Sequence, residues 1–211
     1  MMSSTQSPNK NLLAQGDPQT LLRIRHTCAH ILAMAVQTLF PETKVTISPW
    51  TETGFYYDFV REASPEENRP TPFTPEDLEK IEAQMRRIVR ANLPIIREVV
   101  DRKDIQAEIA ALQEPYKQEI LDGIPGDEPI TRYFIGSPDG GVASHPEIEP
   151  SLIHPVTVPP TEVWWDLCAG PHLNFTGEIH PDAFALESVA GAYWRGDESK
   201  AQLQRIYGTA W

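Results

Sequence analysis

His26 and His30 stand four residues apart, and Cys168 and His172 repeat that separation far down the chain. In a helix, residues four apart lie one above the other on one face, so the first pair can send both imidazoles into one space. Between the second pair, Gly170-Pro171 favours a turn over a regular helix. Three imidazoles and a thiol are the donor types of a divalent metal site. They are equally a set that could move protons and position a substrate. HxxxH alone is common on helix surfaces and does not choose between these chemistries.

The elements that must position these groups can be traced from local signals. Asp17-Pro18 supplies an N-cap acceptor followed by proline at the first helical position, and the helix it opens stops before Pro41. Ile24, Cys28, Ile31, Ala35 and Leu39 form its apolar stripe, with Leu32 beside it. His26 lies two residues from Ile24 and from Cys28, about 200° round the helix from each. The histidines therefore sit opposite the stripe, on a face free to line a cavity, and Cys28 packs with the core.

Residues 44–49 and 54–61 form a pair of strands joined by a polar turn. In the second, alternation sends Tyr56 and Tyr57 to opposite faces. Both are candidate substrate-binding residues, one expected in the core and the other offering its hydroxyl to a cavity. A polar, proline-rich connection covers 62–73. Thr74-Pro75-Glu76-Asp77 then opens an amphipathic helix whose stripe is Leu78, Ile81, Met85, Ile88 and Val89, ended by Pro94.

Residues 95–100 are a strand, 102–112 a helix, and 116–121 a short helix ended by Gly123, on which Lys117 is expected at the surface. A strand at 130–135 leads into a long loop, 137–160, holding His145 and His154, each followed by proline. Strands at 162–167, 183–194 and 202–207 complete the set, the first delivering Asp166 and Cys168 to its end. Interspersed strands and helices predict an α+β fold, a mixed or antiparallel sheet with packed helices around the central HxxxH helix. There is no internal repeat and no phosphate-binding glycine loop.

Composition narrows the function classes. At 211 residues the chain can bury a sizeable core. Two cysteines, one in each motif, make no disulfide framework and suit a reducing cytosol. No apolar run reaches membrane-spanning length, and Met1-Met2-Ser3-Ser4-Thr5-Gln6-Ser7 lacks a signal peptide's basic and apolar regions, so a soluble, cytoplasmic protein is expected. Residues 1–16 are polar and patternless, the composition of a disordered leader before a domain at 17–211. The formal net charge of -12 disfavours strong autonomous binding to nucleic acid, so any RNA contact must be local or helped by another domain.

With these residues in view, the sequence resembles the editing domain of threonyl-tRNA synthetase and, more distantly, its alanyl relatives. Five stretches carry the resemblance: Arg25-His26-Thr27-Cys28-Ala29-His30, Gly54-Phe55-Tyr56-Tyr57-Asp58, Tyr116-Lys117, Asp166-Leu167-Cys168-Ala169-Gly170-Pro171-His172, and Ala190-Gly191-Ala192-Tyr193-Trp194-Arg195-Gly196-Asp197. The ending, Leu203 to Trp211, is similar to the same family, and together they span about residues 21–211.

The resemblance implies hydrolysis of serine wrongly attached to threonine-specific tRNA. Serine is one methyl smaller than threonine, so an aminoacylation pocket cannot fully exclude it and a second, hydrolytic site raises fidelity. It places the site at His26, His30, Lys117, Asp166, Cys168 and His172. His30 and His172 would hold or activate water, while His26 and Lys117 orient the substrate or stabilise oxyanion charge. Asp166 would take the substrate's ammonium group or serine hydroxyl, and a nucleophilic Cys168 is the rival to water attack. The alanyl relatives hold zinc at positions matching His26, His30, Cys168 and His172, whereas the threonyl branch is regarded as working without it. Both no required cofactor and zinc therefore stay open.

The chain departs from the family pattern at Ala169, where arginine is usual. It also carries neither the small ubiquitin-like domain that often precedes this one nor an ATP-binding aminoacylation core. The expectation is a piece of a larger synthetase, or a free-standing editor working beside a full-length enzyme, with the 3′ end of mischarged tRNA as partner. A non-catalytic module that binds a tRNA end or zinc is the alternative, and a hydrolase for a free small ester or amide is a third.

Overall fold

Helix α1 (Pro18–Leu39) runs through the middle of the structure, and every residue from His26 to Val36 is buried. The computed structural model describes residues 18–47, 51–61, 71–137 and 163–211. Small residues such as Ala29, Ala33 and Ala35 let neighbours approach α1 from several sides while keeping high helix propensity. One side lies on a four-stranded antiparallel sheet in the order β1-β2-β7-β6, made of β1 (Lys44–Val45), β2 (Gly54–Val60), β6 (Phe184–Tyr193) and β7 (Gln202–Ala210).

Alternation on β2 buries Phe55, Tyr57 and Phe59 against α1 together with Ile206 and Ala210 of β7. Tyr56 turns to the other face and pairs with Tyr207. Gly208 lets β2 and β7 approach there, since a Cβ on it would meet the Phe55 ring at 2.5 Å.

Helix α2 (Pro75–Arg90) packs along α1 through Ile81, Met85, Ile88 and Val89. Its start is a capping box. The Thr74 side chain accepts from the Asp77 backbone N–H, and the Asp77 carboxylate accepts from the Thr74 N–H. A second antiparallel sheet has the order β3-β4-β5, from β3 (Ile95–Val100), β4 (Ile130–Ile135) and β5 (Trp164–Leu167). Its outer face packs on α3 (Arg102–Leu112) and α4 (Pro115–Gly123), where Ile105, Ile109, Leu121 and Ile130 form a separate small core. Arg102 donates to the carbonyls of Leu121 and Ile124, tying the end of α4 to the start of α3.

The α+β class and the order of elements match the sequence-based expectation, with four corrections. The strands pair antiparallel, one of the two alternatives expected, but in two sheets and not one among the described residues. Helix α1 is not amphipathic over its middle, because the second sheet covers its histidine face as well. The strand expected at 44–49 is assigned only at Lys44–Val45, and the last strand runs on to Ala210. Lys117 is 3% exposed, not a surface lysine. The leader at 1–16, the Asp17 cap, His145 and His154 lie outside the described residues. No helix among the described residues is long and apolar enough to cross a membrane.

Candidate functional site

Two segments far apart in sequence meet at one end of the second sheet. On α1 the four-residue spacing stacks His26 above His30 on one face. Strand β5 ends at Leu167, and the chain then turns through Cys168 to His172, facing that stripe. Gly170 makes the turn possible: its φ is +77°, and a Cβ there would lie 2.2 Å from the Tyr133 hydroxyl oxygen. The Cys168 Sγ comes to 3.2 Å from His26 Nε2 and 3.3 Å from His172 Nε2. The His172 ring centroid is 4.0 Å from that of His26 and 4.1 Å from that of His30. One donor atom from each of His26, His30, Cys168 and His172 fits within a 4.8 Å span.

Hydrogen bonds orient the rings. His26 Nδ1–H donates to the Pro171 carbonyl at 3.1 Å, which leaves Nε2 with its lone pair toward Cys168. Thr27 Oγ1 lies 3.3 Å from His172 Nδ1 and accepts from the Leu173 backbone N–H, so one hydroxyl positions both the ring and the turn behind it. His30 differs. It is 1% exposed, and neither ring nitrogen has a hydrogen-bond partner. Trp164 packs edge-on against it at 5.4 Å, and its indole N–H donates to Gln37 Oε1. Gln37 in turn donates to Glu114.

Beside the imidazoles sits a charged unit. Lys117 Nζ donates to Asp166 Oδ1, and the Tyr57 hydroxyl donates to Oδ2 at 2.5 Å. Both partners of the ion pair are buried, Lys117 at 3% and Asp166 at 2% exposed. His30 Nε2 is 4.0 Å from Asp166 Oδ2. A cleft of about 210 Å³ opens onto this cluster, lined by His26, Asp166, Leu167 and Cys168 with Thr46, Ile47 and Ile120.

Burial sets the protonation states. It lowers the pKa of His26, with the Pro171 carbonyl and Asp166 opposing, and lowers those of His30 and His172 well below the ordinary value. Near pH 7 all three are neutral and hold lone pairs. Burial pushes the Cys168 thiol up to about 12, so it rests protonated. It also raises Tyr57, helped by the Asp166 charge, which keeps the phenol a donor.

The structure brings together all six expected polar site residues and Tyr57. It does not bring Tyr56, whose ring lies on the opposite face of the first sheet under the Arg205 guanidinium at 3.9 Å. Tyr57 is both core and site, a combination the alternation argument treated as exclusive. Thr27, Gln37, Glu114, Tyr133 and Trp164 were not expected. Thr27 could have been found between the two motif histidines. Gln37 lies on the same helix as the histidines, and Glu114, Tyr133 and Trp164 reach the site from elements whose pairing has no local signal.

The arrangement fits the donor chemistry of a tetrahedral zinc site, since three imidazoles and a thiol converge and His30 has unsatisfied nitrogens. It fits hydrolysis equally, with neutral bases, a buried ammonium and a phenolic donor clustered behind the cleft that His26, Asp166 and Cys168 line.

The sequence is similar to those of known proteins. The sequence profile described as the threonyl and alanyl tRNA synthetase second additional domain matches residues 133–207. A threonine–tRNA ligase of Gloeobacter violaceus is 54% identical over 201 residues, 95% of this chain and 27% of the relative. A threonine–tRNA ligase of Synechocystis is 48% identical over 100% of this chain and 29% of its own length. The chloroplastic/mitochondrial threonine–tRNA ligase 2 of Arabidopsis thaliana is 52% identical over 90% of the chain and 24% of its own length. The chain thus spans about a quarter of the length of these relatives.

Proposed function

Since the chain belongs to the threonyl and alanyl tRNA synthetase second additional domain family, we propose that it hydrolyses the ester joining serine to threonine-specific tRNA. The observation that carries this reading is the convergence of three neutral imidazoles, of which His26 lines the cleft, beside the buried Lys117–Asp166–Tyr57 unit. In this reaction water attacks the ester carbonyl, which passes through an oxyanion before the ribose oxygen leaves. His30 and His172 supply the lone pairs that hold the water and take its proton. Their neutrality at pH 7, enforced by burial, keeps those lone pairs available. Lys117 stabilises the oxyanion through its remaining N–H donors, and the desolvated site strengthens that interaction.

Asp166 is assigned to holding Lys117 and Tyr57, because both its oxygens are engaged within the protein. That assignment departs from a role in binding the substrate's ammonium group. His26 positions the amino acid at the cleft, where it is a lining residue. Water attack is favoured over a thioester route by the Cys168 thiol, which burial keeps protonated. Rejection of threonyl-tRNA follows if the cleft leaves no room for the extra methyl. If zinc is bound, His26, His30, Cys168 and His172 are the residues that hold it, and it would supply Lewis-acid polarisation.

The test is deacylation of seryl- and threonyl-tRNA by the purified chain, each with and without a chelator. Rapid loss of serine but not threonine is expected, and abolition by chelator would make the metal part of the chemistry. Full deacylation retained in both His30→Ala and His172→Ala would refute the assignment of the water. Hydrolysis of neither ester would favour a tRNA-end or zinc-binding module.

A further inference from the structure

Trp194 to Asp197 belong to one of the five stretches singled out in the sequence, yet none of them lines the cleft. They form the tip of the hairpin between β6 and β7, and that tip is braced from within. The Trp194 backbone N–H donates to the Ala201 carbonyl at 3.0 Å, and the Asp197 N–H donates back to the Trp194 carbonyl. The Asp197 carboxylate accepts from both the backbone N–H and the hydroxyl of Ser199. Arg195 (φ +55°) and Gly196 (φ +71°) turn the chain sharply, and the Arg195 guanidinium lies over the Trp194 ring at 5.4 Å. The two side chains leave a rigid tip together.

What they hold is α4. The Trp194 indole N–H donates to Glu119 Oε2 at 2.8 Å, and Arg195 donates to the Glu119 carbonyl at 3.1 Å. The Tyr116 ring meets Trp194 edge-on at 5.1 Å. Trp194 is 2% exposed although it lies outside both apolar cores, so its burial comes from this contact with the helix. Tyr116 and Glu119, three residues apart, share one side of α4, whereas Lys117 and Leu121, four apart, share the buried side. Ile120, between the two, lines the cleft. The grip therefore brackets Lys117 in sequence and acts from the side of the helix opposite its ammonium. Helix α4 depends on such support. Nine residues are too few for a stable helix in water, and its N-cap Glu114 makes no side-chain cap hydrogen bond. Arg102 fixes its last turn and Gln37 holds Glu114 at its start, while Trp194 and Arg195 hold the turn between.

We propose that Trp194, with Glu119 as its acceptor, is a positioning residue for the hydrolytic site: it fixes α4 so that the Lys117 ammonium stays where the oxyanion develops. The proposal rests on the deacylase reading for the task of Lys117. A lysine reaches its target on a flexible four-carbon stem, and the pair with Asp166 ties the ammonium to β5 but not the helix behind it. An oxyanion donor works best when it is already in place, since a donor that must move costs reorganisation at the moment of reaction. The grip also crosses between layers, because β6 and β7 belong to the first sheet and α4 packs on the second.

The test uses three variants. Trp194→Phe keeps a ring and removes the N–H, Glu119→Ala removes the acceptor, and Glu119→Gln keeps an acceptor oxygen. Trp194→Phe and Glu119→Ala should each lower kcat for seryl-tRNA about tenfold with KM unchanged, the pattern of an interaction needed in the transition state. Combined, they should lose about the same tenfold, because they break one contact. Glu119→Gln should keep kcat within about twofold. Lys117 supplies a second readout through the NMR signal of its ammonium, identified by its disappearance in Lys117→Met. Burial slows exchange of those protons with water, and exchange should quicken about tenfold in Trp194→Phe and Glu119→Ala but not in Glu119→Gln. Unchanged kcat in the first two variants, equal losses in the two Glu119 variants, or a fall in kcat with the Lys117 signal unaltered would overturn the proposal. If the chain hydrolyses neither ester, the deacylase reading fails separately. Positioning is then judged on the ammonium signal: faster exchange in Trp194→Phe and Glu119→Ala supports it, and unchanged exchange overturns it.

Discussion

Replacing Lys117 by methionine removes a buried ammonium while keeping most of the side-chain volume. It leaves the Asp166 carboxylate, 2% exposed, with the Tyr57 hydroxyl as its remaining strong donor and His30 Nε2 4.0 Å away. Asp166→Asn does the reverse, leaving an ammonium beside the Trp164 and Trp165 rings at 5.9 and 5.7 Å, with the buried Glu114 as an acidic group still acting on it. Breaking a buried ion pair from one side costs about 3–5 kcal/mol, because the remaining charge stays desolvated without its partner. Each single variant should therefore lose about 3 kcal/mol. With a urea slope of about 2 kcal/mol/M, the midpoint should fall by about 1.5 M. The double variant removes both charges, and replacing a buried pair by neutral groups is often close to neutral, so it should be no less stable than either single. The assay is urea denaturation of all four proteins followed by far-ultraviolet circular dichroism and tryptophan fluorescence, giving a coupling energy of at least about 3 kcal/mol. Single losses that are below about 1 kcal/mol and additive would refute the claim that this pair is a desolvated, mutually dependent unit. Deacylation read on the same proteins separates the roles: the double variant should be stable yet inactive.

Gly170→Ala should destabilise by at least about 2 kcal/mol in thermal melts, since φ is +77° and the added Cβ meets Tyr133. Adding Tyr133→Ala should recover only the steric part, and full stability in the single variant would contradict the turn geometry. In chelator-treated protein at pH 8, Cys168 should alkylate about a thousandfold more slowly than free cysteine, because burial moves its pKa from 9.0 to about 12. Cys28, fully buried, should label only on unfolding. Rapid labelling of a thiol in the folded protein would refute both assignments. Metal-free protein should also lose stability as the pH falls below about 6.5. Above that value both states carry neutral histidines and nothing changes. Below it the unfolded chain binds protons that folded His26, His30 and His172 resist, at a limiting slope of about 1.4 kcal/mol per pH unit for each. Glu114, raised by burial, works in the opposite sense and offsets part of the loss at the acid end. A midpoint independent of pH between 7 and 5 would show that the histidines are not held neutral.

What could be read from the sequence was what local chemistry specifies. The Thr74–Asp77 box marks the start of α2 because both of its hydrogen bonds lie within four residues. Alternation on β2 locates Phe55, Tyr57 and Phe59 because side chains on a strand point to successive faces. The cluster was legible for the same reason, since each half is a spacing of four. Partners supplied by distant elements were not. Lys117 sits in a short helix whose composition describes a surface, and it is buried because Asp166, 49 residues away, meets it. Trp164 and Gln37 are 127 residues apart.

The histidine face of α1 shows why the two kinds of information diverge. Periodicity found the apolar stripe and left the opposite side to solvent or a cavity, because histidine and threonine contribute little to an apolar pattern. The second sheet then closes over that side, so the residues that look most exposed in sequence are among the most buried. Their burial does chemical work. On a solvated helix the same imidazoles would titrate near 6.5 and be partly charged at the acid edge of the physiological range. Under the second sheet they stay neutral, with Lys117 and Asp166 carrying the charge between them. The catalytic set proposed here therefore depends on how two antiparallel sheets enclose one helix, and variants that loosen that enclosure should change pH dependence before they change which residues are present.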